Sequence, residues 1–256
     1  TEGTYNEHMD YDPIVVFING EYWGFYELRN KLDEGHFDHA KGIDKDSLDL
    51  MSLSYWYGLV LRTLSGSDTD FIEMRTVLAT YPTPEDPEFY ALADSLLDLQ
   101  NFTDYIASQM FFANYDWPYN NIKAWRDRGG DNKWKYAIID VELGLGIGGW
   151  SNANSDLIPG LFNPQENIEP LARLLQNPIY HDYFVNRYAD LMNSTFLPER
   201  TLAMEDSMYN AMIAEMPRQF ERWGYGTVDE QMATFDSYRE ALRDDFTIRA
   251  DKERTH

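Results

Sequence analysis

Asp116-Trp-Pro-Tyr-Asn-Asn121 sets an aspartate and an asparagine five positions apart, after a hydrophobic helical pattern and before a strand-like run. Nineteen residues beyond Asn121 comes Asp140-Val-Glu142-Leu-Gly144, at the end of a second strand-like run. Phosphoryl-transfer sites use oxygen groups in this order: a loop aspartate orients the attacking hydroxyl, an asparagine five residues on binds metal, and a second aspartate holds the cations that bridge nucleotide phosphates. Magnesium and manganese are hard cations, so oxygen ligands suit them. Each residue taken alone has a structural role open to it. Asp116 two residues before Pro118 can form a turn. Asp140 can cap the turn after an apolar strand, although a charge there is costly unless paired or metal-bound. Glu142, two residues on, is a second ligand or a solvated loop residue.

These groups need a loop, a hairpin and a second loop to converge on one phosphate. The sequence supplies the parts. Ile14 to Phe17 is an apolar β-branched run, Asn19-Gly20 is a hairpin signal, and Tyr22 to Leu32 reads as the partner strand. Phe25, Glu27, Arg29 and Lys31 fall on one face of that strand. Lys31 and Arg29 are therefore candidates for holding α- and β-phosphates, or else part of a solvated face with Glu27. Residues 33–48 read as a charged loop with one helical turn. Helical patterns follow at 50–64, 68–80 and 86–98, and another is capped at Asn101 or Thr103 and ends near Pro118. Strands are expected at 122–125 and 134–139, a Gly-, Asn- and Ser-rich loop at 143–165, and helices over most of 167–250 with breaks near Pro198 and Gly224. The expected class is α+β, with a small amino-terminal sheet and a helical bulk.

Composition narrows the function. The 256-residue chain has a net charge of −23, 43% hydrophobic and 15% aromatic residues, and no cysteine. A core of one domain is within reach, and the aromatic content argues against disorder. The acidity opposes binding to nucleic-acid backbones or anionic membranes but suits a neutral or basic protein, or a nucleotide whose phosphates are bridged by metal. Thiolate chemistry is excluded. No stretch has the length and apolarity to insert in a membrane, and residues 1–20 carry no signal-peptide pattern. The start at Thr1 suggests an excised or processed domain, so an extracytoplasmic or cell-surface setting stays open. His36 and His39 beside Asp38 could pair on a metal but read more simply as a polar loop. Ser65-Gly66-Ser67 could meet a phosphate or cap a helix. The aromatic run Tyr55-Trp56-Tyr57 reads as core packing.

A resemblance covers much of the chain. Val15-Val-Phe-Ile-Asn-Gly-Glu-Tyr-Trp-Gly-Phe-Tyr-Glu-Leu-Arg29, followed by Lys31-Leu-Asp33, resembles the opening signature of the CotH (spore coat protein H) kinases. So do Asn101-Phe-Thr-Asp-Tyr105 and Phe111-Phe-Ala-Asn-Tyr-Asp116 with Asn121, and Lys135-Tyr-Ala-Ile-Ile-Asp140 is similar to the family's metal-binding strand. Leu174 to Pro178, Phe196 to Arg200 and Met216 to Trp223 resemble its carboxy-terminal helices. The match runs from about Asp12 to Trp223; the segment usual upstream of Val15 is largely absent. The resemblance implies a two-lobed protein-kinase-like fold, with residues 1–50 in the sheet lobe and 51–256 in a helical lobe carrying a catalytic hairpin at 116–144. It implies an enzyme that uses ATP with Mg2+ or Mn2+ to phosphorylate serine or threonine in a protein. Asp116 takes the catalytic role, and Asp140 and Asn121 take metal-ligand roles. Two positions depart from the pattern. Asn30 stands where the family commonly has Glu, and Glu142 where it often has Asp. A catalytically silent binding or adhesion module, a kinase-fold enzyme with a non-protein acceptor, and an AMP transferase are the competing readings.

Overall fold

The computed structural model describes residues 3–55, 58–146, 149–157 and 169–255. The first element is a hairpin of β1 (Tyr11–Ile18) and β2 (Glu21–Arg29). Its turn is Asn19-Gly20, both at positive φ, 52° and 84°, which the right-handed twist of a two-residue hairpin requires. The hairpin is a two-stranded sheet of its own. It docks on a late helix, α8 (Met216–Trp223), where Gln219 Oε1 accepts from the Phe25 amide at 2.8 Å and Trp223 Nε1 donates to Trp23 O at 2.5 Å. Arg218 and Arg222 stack over Tyr22 and Trp23 across the same junction.

The segment 33–48 forms α1 (Glu34–Lys41), capped by the Asp33 side chain and ended by Gly42 in the left-handed region. Next come β3 (Leu48–Tyr55) and β4 (Leu59–Ser65), an antiparallel pair where the sequence suggested a helix over 50–64. The reason for the misreading is physical. β3 is buried on both faces; its pairing with β5 runs without a shift, and the irregularity in its pairing with β4 leaves Leu64 of β4 as the extra residue. Leu48 and Leu50 enter a cluster with α1 residue Phe37, whereas Met51 and Leu53 enter the main core. A doubly buried strand loses the alternation of polar and apolar residues that identifies half-buried strands. Trp56 and Tyr57 of the aromatic run lie outside the described residues.

Three helices follow: α2 (Thr69–Thr80), α3 (Pro87–Leu96) and α4 (Leu99–Phe112). α4 begins at Asp98, whose side chain accepts from the Asn101 amide, so Asp98 and not Asn101 or Thr103 is its cap. Nearly every side chain of α4 is buried, as expected for a helix apolar on most of its surface. Its polar members are matched. Asn101 donates to Tyr5 O and Tyr136 O and accepts from the Tyr136 amide, while Asp104 pairs with Arg187. β5 (Ile122–Asp127) and β6 (Lys135–Ala137) complete a sheet of order β4-β3-β5-β6, all antiparallel. That sheet joins residues 48–65 directly to the strands flanking the motif region, and residue 50 falls inside β3. α5 (Glu169–Leu174), α6 (Pro178–Met192), α7 (Pro198–Met212), α8 and α9 (Val228–Glu253) close the chain. The architecture is α+β with small antiparallel sheets and more helix than strand.

One buried charge pair ties the sheet together. Asp49 on β3 is fully buried opposite Arg126 on β5, which donates to it through Nε at 3.0 Å and also reaches Asp70 at 2.7 Å. Asp49 Oδ1 accepts from the Ser67 amide at 2.9 Å, so the Ser65-Gly66-Ser67 turn serves this carboxylate in the place suggested for a phosphate. A Cβ on Gly66 would lie 2.1 Å from Asp49 Oδ1, which reserves that turn for glycine. Removing one partner of a buried pair strands the other, so Asp49→Ala is expected to cost about 3–5 kcal/mol in denaturant unfolding. A loss below about 1 kcal/mol, the worth of an exposed pair, would show that Asp70 alone satisfies Arg126.

Candidate functional site

α4 ends in a left-handed Ala113 at φ 47°, whose amide returns to Gln109 O and Met110 O. The chain then turns sharply. Trp117 N donates to Asn114 O at 3.1 Å, and the amides of Tyr119 and Asn120 both donate to Asp116 O at 2.9 Å. Trp117, its bond to Pro118 cis, drops into the core and donates through Nε1 to the Tyr105 hydroxyl at 3.1 Å. Burial, with Tyr136 nearby, pushes the Tyr105 hydroxyl well above the usual tyrosine range, so it stays protonated as part of the loop's anchor. The loop closes on Asn121, at φ 58°, a conformation asparagine tolerates better than most residues. Its Nδ2 donates to Asp116 Oδ2 at 3.3 Å, so the two motif residues meet across the turn. Both are half-buried.

Asp140 arrives from the other side. β6 ends at Ala137, and Ile138 N donates to Glu7 O at 2.8 Å, which guides the chain past the sheet. Asp140 is exposed and sits at φ 47°. Its carbonyl lies 3.4 Å from Asn114 Nδ2. Two further bonds lace the segments together: Tyr115 N to Leu143 O at 3.4 Å and Leu145 N to Phe112 O at 2.7 Å. Asp116, Asn121 and Asp140 thus stand on two cross-bonded loops. Non-glycine residues held at positive φ by such bonding recur at functional sites. Glu142 is exposed in the Val141–Gly144 turn. The strand has ended at Ala137, so no strand alternation sets Glu142 on the face of Asp140.

The cations are distributed differently from expectation. Lys31 lies past the end of β2 with its side chain 81% exposed, 3.6 Å from Asp33, and Arg29 pairs with Glu27 along the same strand. Asn30 accepts from the Asp10 amide at 2.6 Å and contacts His36 Nδ1 at 2.9 Å. His36 and His39 do not converge, since His39 Nδ1 contacts Gly35 O. A lysine the sequence did not single out lies nearer the centre. Lys123, two positions beyond Asn121 on β5, is half-buried and donates to Leu32 O at 2.7 Å. Burial first, then the charge of Lys31, lowers its pKa from the ordinary lysine value, while Asp33 opposes this. Its signal in the sequence was only a cation within an otherwise apolar strand run.

A clamp from the far end of the chain fixes both loops. Arg249 on α9 is fully buried and donates to Met110 O and Phe111 O at the end of α4. It donates as well to Asn152 O and Ser155 O, in the segment after Asp140, and pairs with Glu253. Asp245 accepts from the Ala153 amide at 3.0 Å, and burial raises its carboxyl pKa against the pull of that amide and of Arg249.

The donor set fits a hard cation. Asp116, Asn121 and Asp140 all offer oxygen. Among the described residues no three His, Cys, Asp or Glu side chains gather as a ready cage. Such a site suits magnesium, which keeps waters and takes one or two carboxylates together with substrate phosphates. Asp140, Asn121 and Glu142 are the groups that would hold it.

Gly144 tests the lacing. A Cβ there would lie 2.5 Å from Phe112 O. Gly144→Ala is expected to destabilise by about 1–3 kcal/mol, as overpacking does, and to speed amide exchange at Leu145 and Tyr115. Unchanged exchange at both amides would show that the loops are held apart from this contact.

Residues 7–250 match the family model described as CotH kinase protein. No curated protein matches the chain. Since that one model spans nearly the whole sequence, the protein belongs to the CotH kinase family.

Proposed function

We propose that this protein is a phosphotransferase that moves the γ-phosphate of ATP, with Mg2+ or Mn2+, to serine or threonine hydroxyls of a protein. The observation that carries the reading is the meeting of Asp116 and Asn121 on a loop bonded to the Asp140 segment. Family membership supports the kinase class.

Phosphoryl transfer asks the protein mainly for positioning and charge stabilisation. In this reading Asp116 accepts a hydrogen bond from the acceptor hydroxyl and takes its proton as the oxygen attacks phosphorus. Asn121 fixes the Asp116 carboxylate through its amide and presents its own carbonyl oxygen to a cation. Asp140 is the principal metal ligand, and Glu142 an outer one. The bound cation, when present, screens the phosphate oxygens and neutralises charge on the leaving group. Arg29 is committed to Glu27, which leaves Lys31 as the nucleotide-side cation of the opening signature. A protein acceptor suits an acidic surface better than a nucleic acid does, and no described helix is long and apolar enough to cross a membrane.

Incubation with γ-labelled and α-labelled ATP, metal and a generic acceptor protein separates the readings. The expected outcome is γ-label on serine or threonine, lost without metal. α-label on protein would make the chain an AMP transferase, and no transfer with intact ATP binding would make it a binding module. Asp140→Ala is expected to abolish metal-dependent ATP binding in calorimetry, and parent-like binding by that variant would remove Asp140 from the metal site.

A further inference from the structure

Lys123 is placed as a ligand-holding group would be. β5 is otherwise a buried strand, with Ile122, Ala124, Trp125 and Arg126 all inside. A lysine in such a strand buries its stem at some cost and gains only if its ammonium finds partners. One partner is visible: Leu32 O, at 2.7 Å. Among the described residues no carboxylate lies within ion-pair distance of it. Asp33, next to Leu32 in the chain, serves Lys31 at 3.6 Å and caps α1 through the Gly35 and His36 amides. Two ammonium groups, Lys31 before Leu32 and Lys123 on its carbonyl, thus stand at one short segment in a chain with 44 acidic and 21 basic residues. With so many carboxylates on hand, the fold leaves these two cations short of negative charge. Lys31 follows the end of β2, and Lys123 stands on β5 two positions beyond Asn121. An ammonium has three donors, so Lys123 can keep Leu32 O and still take anionic oxygens.

We infer that Lys123, with Lys31 as its outer partner, holds the phosphate chain of the nucleotide at this site. The inference deepens the kinase reading and rests on it. Its ligand chemistry is a polyphosphate ester: Lys123 supplies a half-buried, anchored charge, and Lys31 an exposed and adjustable one. The Leu32 contact also couples phosphate binding to the segment joining β2 and α1.

The test is binding, measured by calorimetry with magnesium and three probes: ATP, inorganic tripolyphosphate and adenosine. Replacing a charge-assisted hydrogen bond is expected to weaken ATP and tripolyphosphate roughly 10- to 100-fold in Lys123→Met, with adenosine changed less than about 2-fold. Lys123→Arg is expected to recover most of the loss, and Lys31→Met to lose less because its charge is solvated. Melting temperatures of all variants check that they fold, and the arginine variant keeps the test open if the methionine variant does not. Lys123→Met binding ATP and tripolyphosphate like the parent would overturn the inference alone, leaving the kinase reading standing. Equal losses for adenosine and ATP would overturn it too, placing Lys123 against the base or in the fold. A parent that binds neither ATP nor tripolyphosphate would overturn both.

Discussion

The guanidinium of Arg249 takes four backbone carbonyls, two from the end of α4 and two from the loop beyond Asp140. The site's geometry depends on that contact for a reason of charge. Asp116, Asp140 and Glu142 are all acidic, so the two loops that carry them gain nothing from each other electrostatically. They are brought together by neutral groups instead: carbonyls facing one arginine, and amides crossing between residues 112–115 and 140–145. A fully buried arginine is costly without a counter-charge, and Glu253, one turn along α9, supplies it. The far end of the sequence thereby sets the distance between two loops in its middle.

Beneath the clamp, burial keeps the first loop in place. Trp117 is the only large apolar side chain among residues 116–121 to enter the main core, and its indole N–H finds a hydroxyl there. On the other side, β5 carries the chain from Asn121 back into the sheet, where the Asp49–Arg126 pair locks its far end. The hairpin of β1 and β2 plays a separate part. It is attached to α8 through tryptophan and arginine stacking, and its continuation at Leu32 accepts from Lys123 of β5.

Much of this was legible in the sequence where the signal was local. Asn19-Gly20 named its own turn. The five-residue step from Asp116 to Asn121 named a loop, because Pro118 and the asparagines leave few alternatives to a turn. The polar side chains of α4 were legible as helix but not as a network, because Asn101 and Asp104 find partners at Tyr5, Tyr136 and Arg187, far away in the chain. β3 was hidden because both its faces are buried, which leaves no polar and apolar alternation to read. Arg249 was invisible for the same reason as its importance: the carbonyls it holds are 94 to 139 residues distant. Lys123 looked like one polar residue in an apolar strand, and only its contact with Leu32 and its nearness to Lys31 give it meaning. A strand-face argument could not place Lys31, since it lies past the strand's end.

The central claim is that Asp116 acts on the chemical step and not on the fold or on nucleotide binding. The direct measurement combines melting temperature, ATP affinity and phosphate transfer on one preparation of Asp116→Asn. The account expects a near-parental melting temperature and ATP affinity, with transfer slowed roughly 10²- to 10⁴-fold, the range for loss of a general base. A variant that melts early, yet whose folded fraction transfers phosphate at the parental rate, would contradict it and make Asp116 a turn residue.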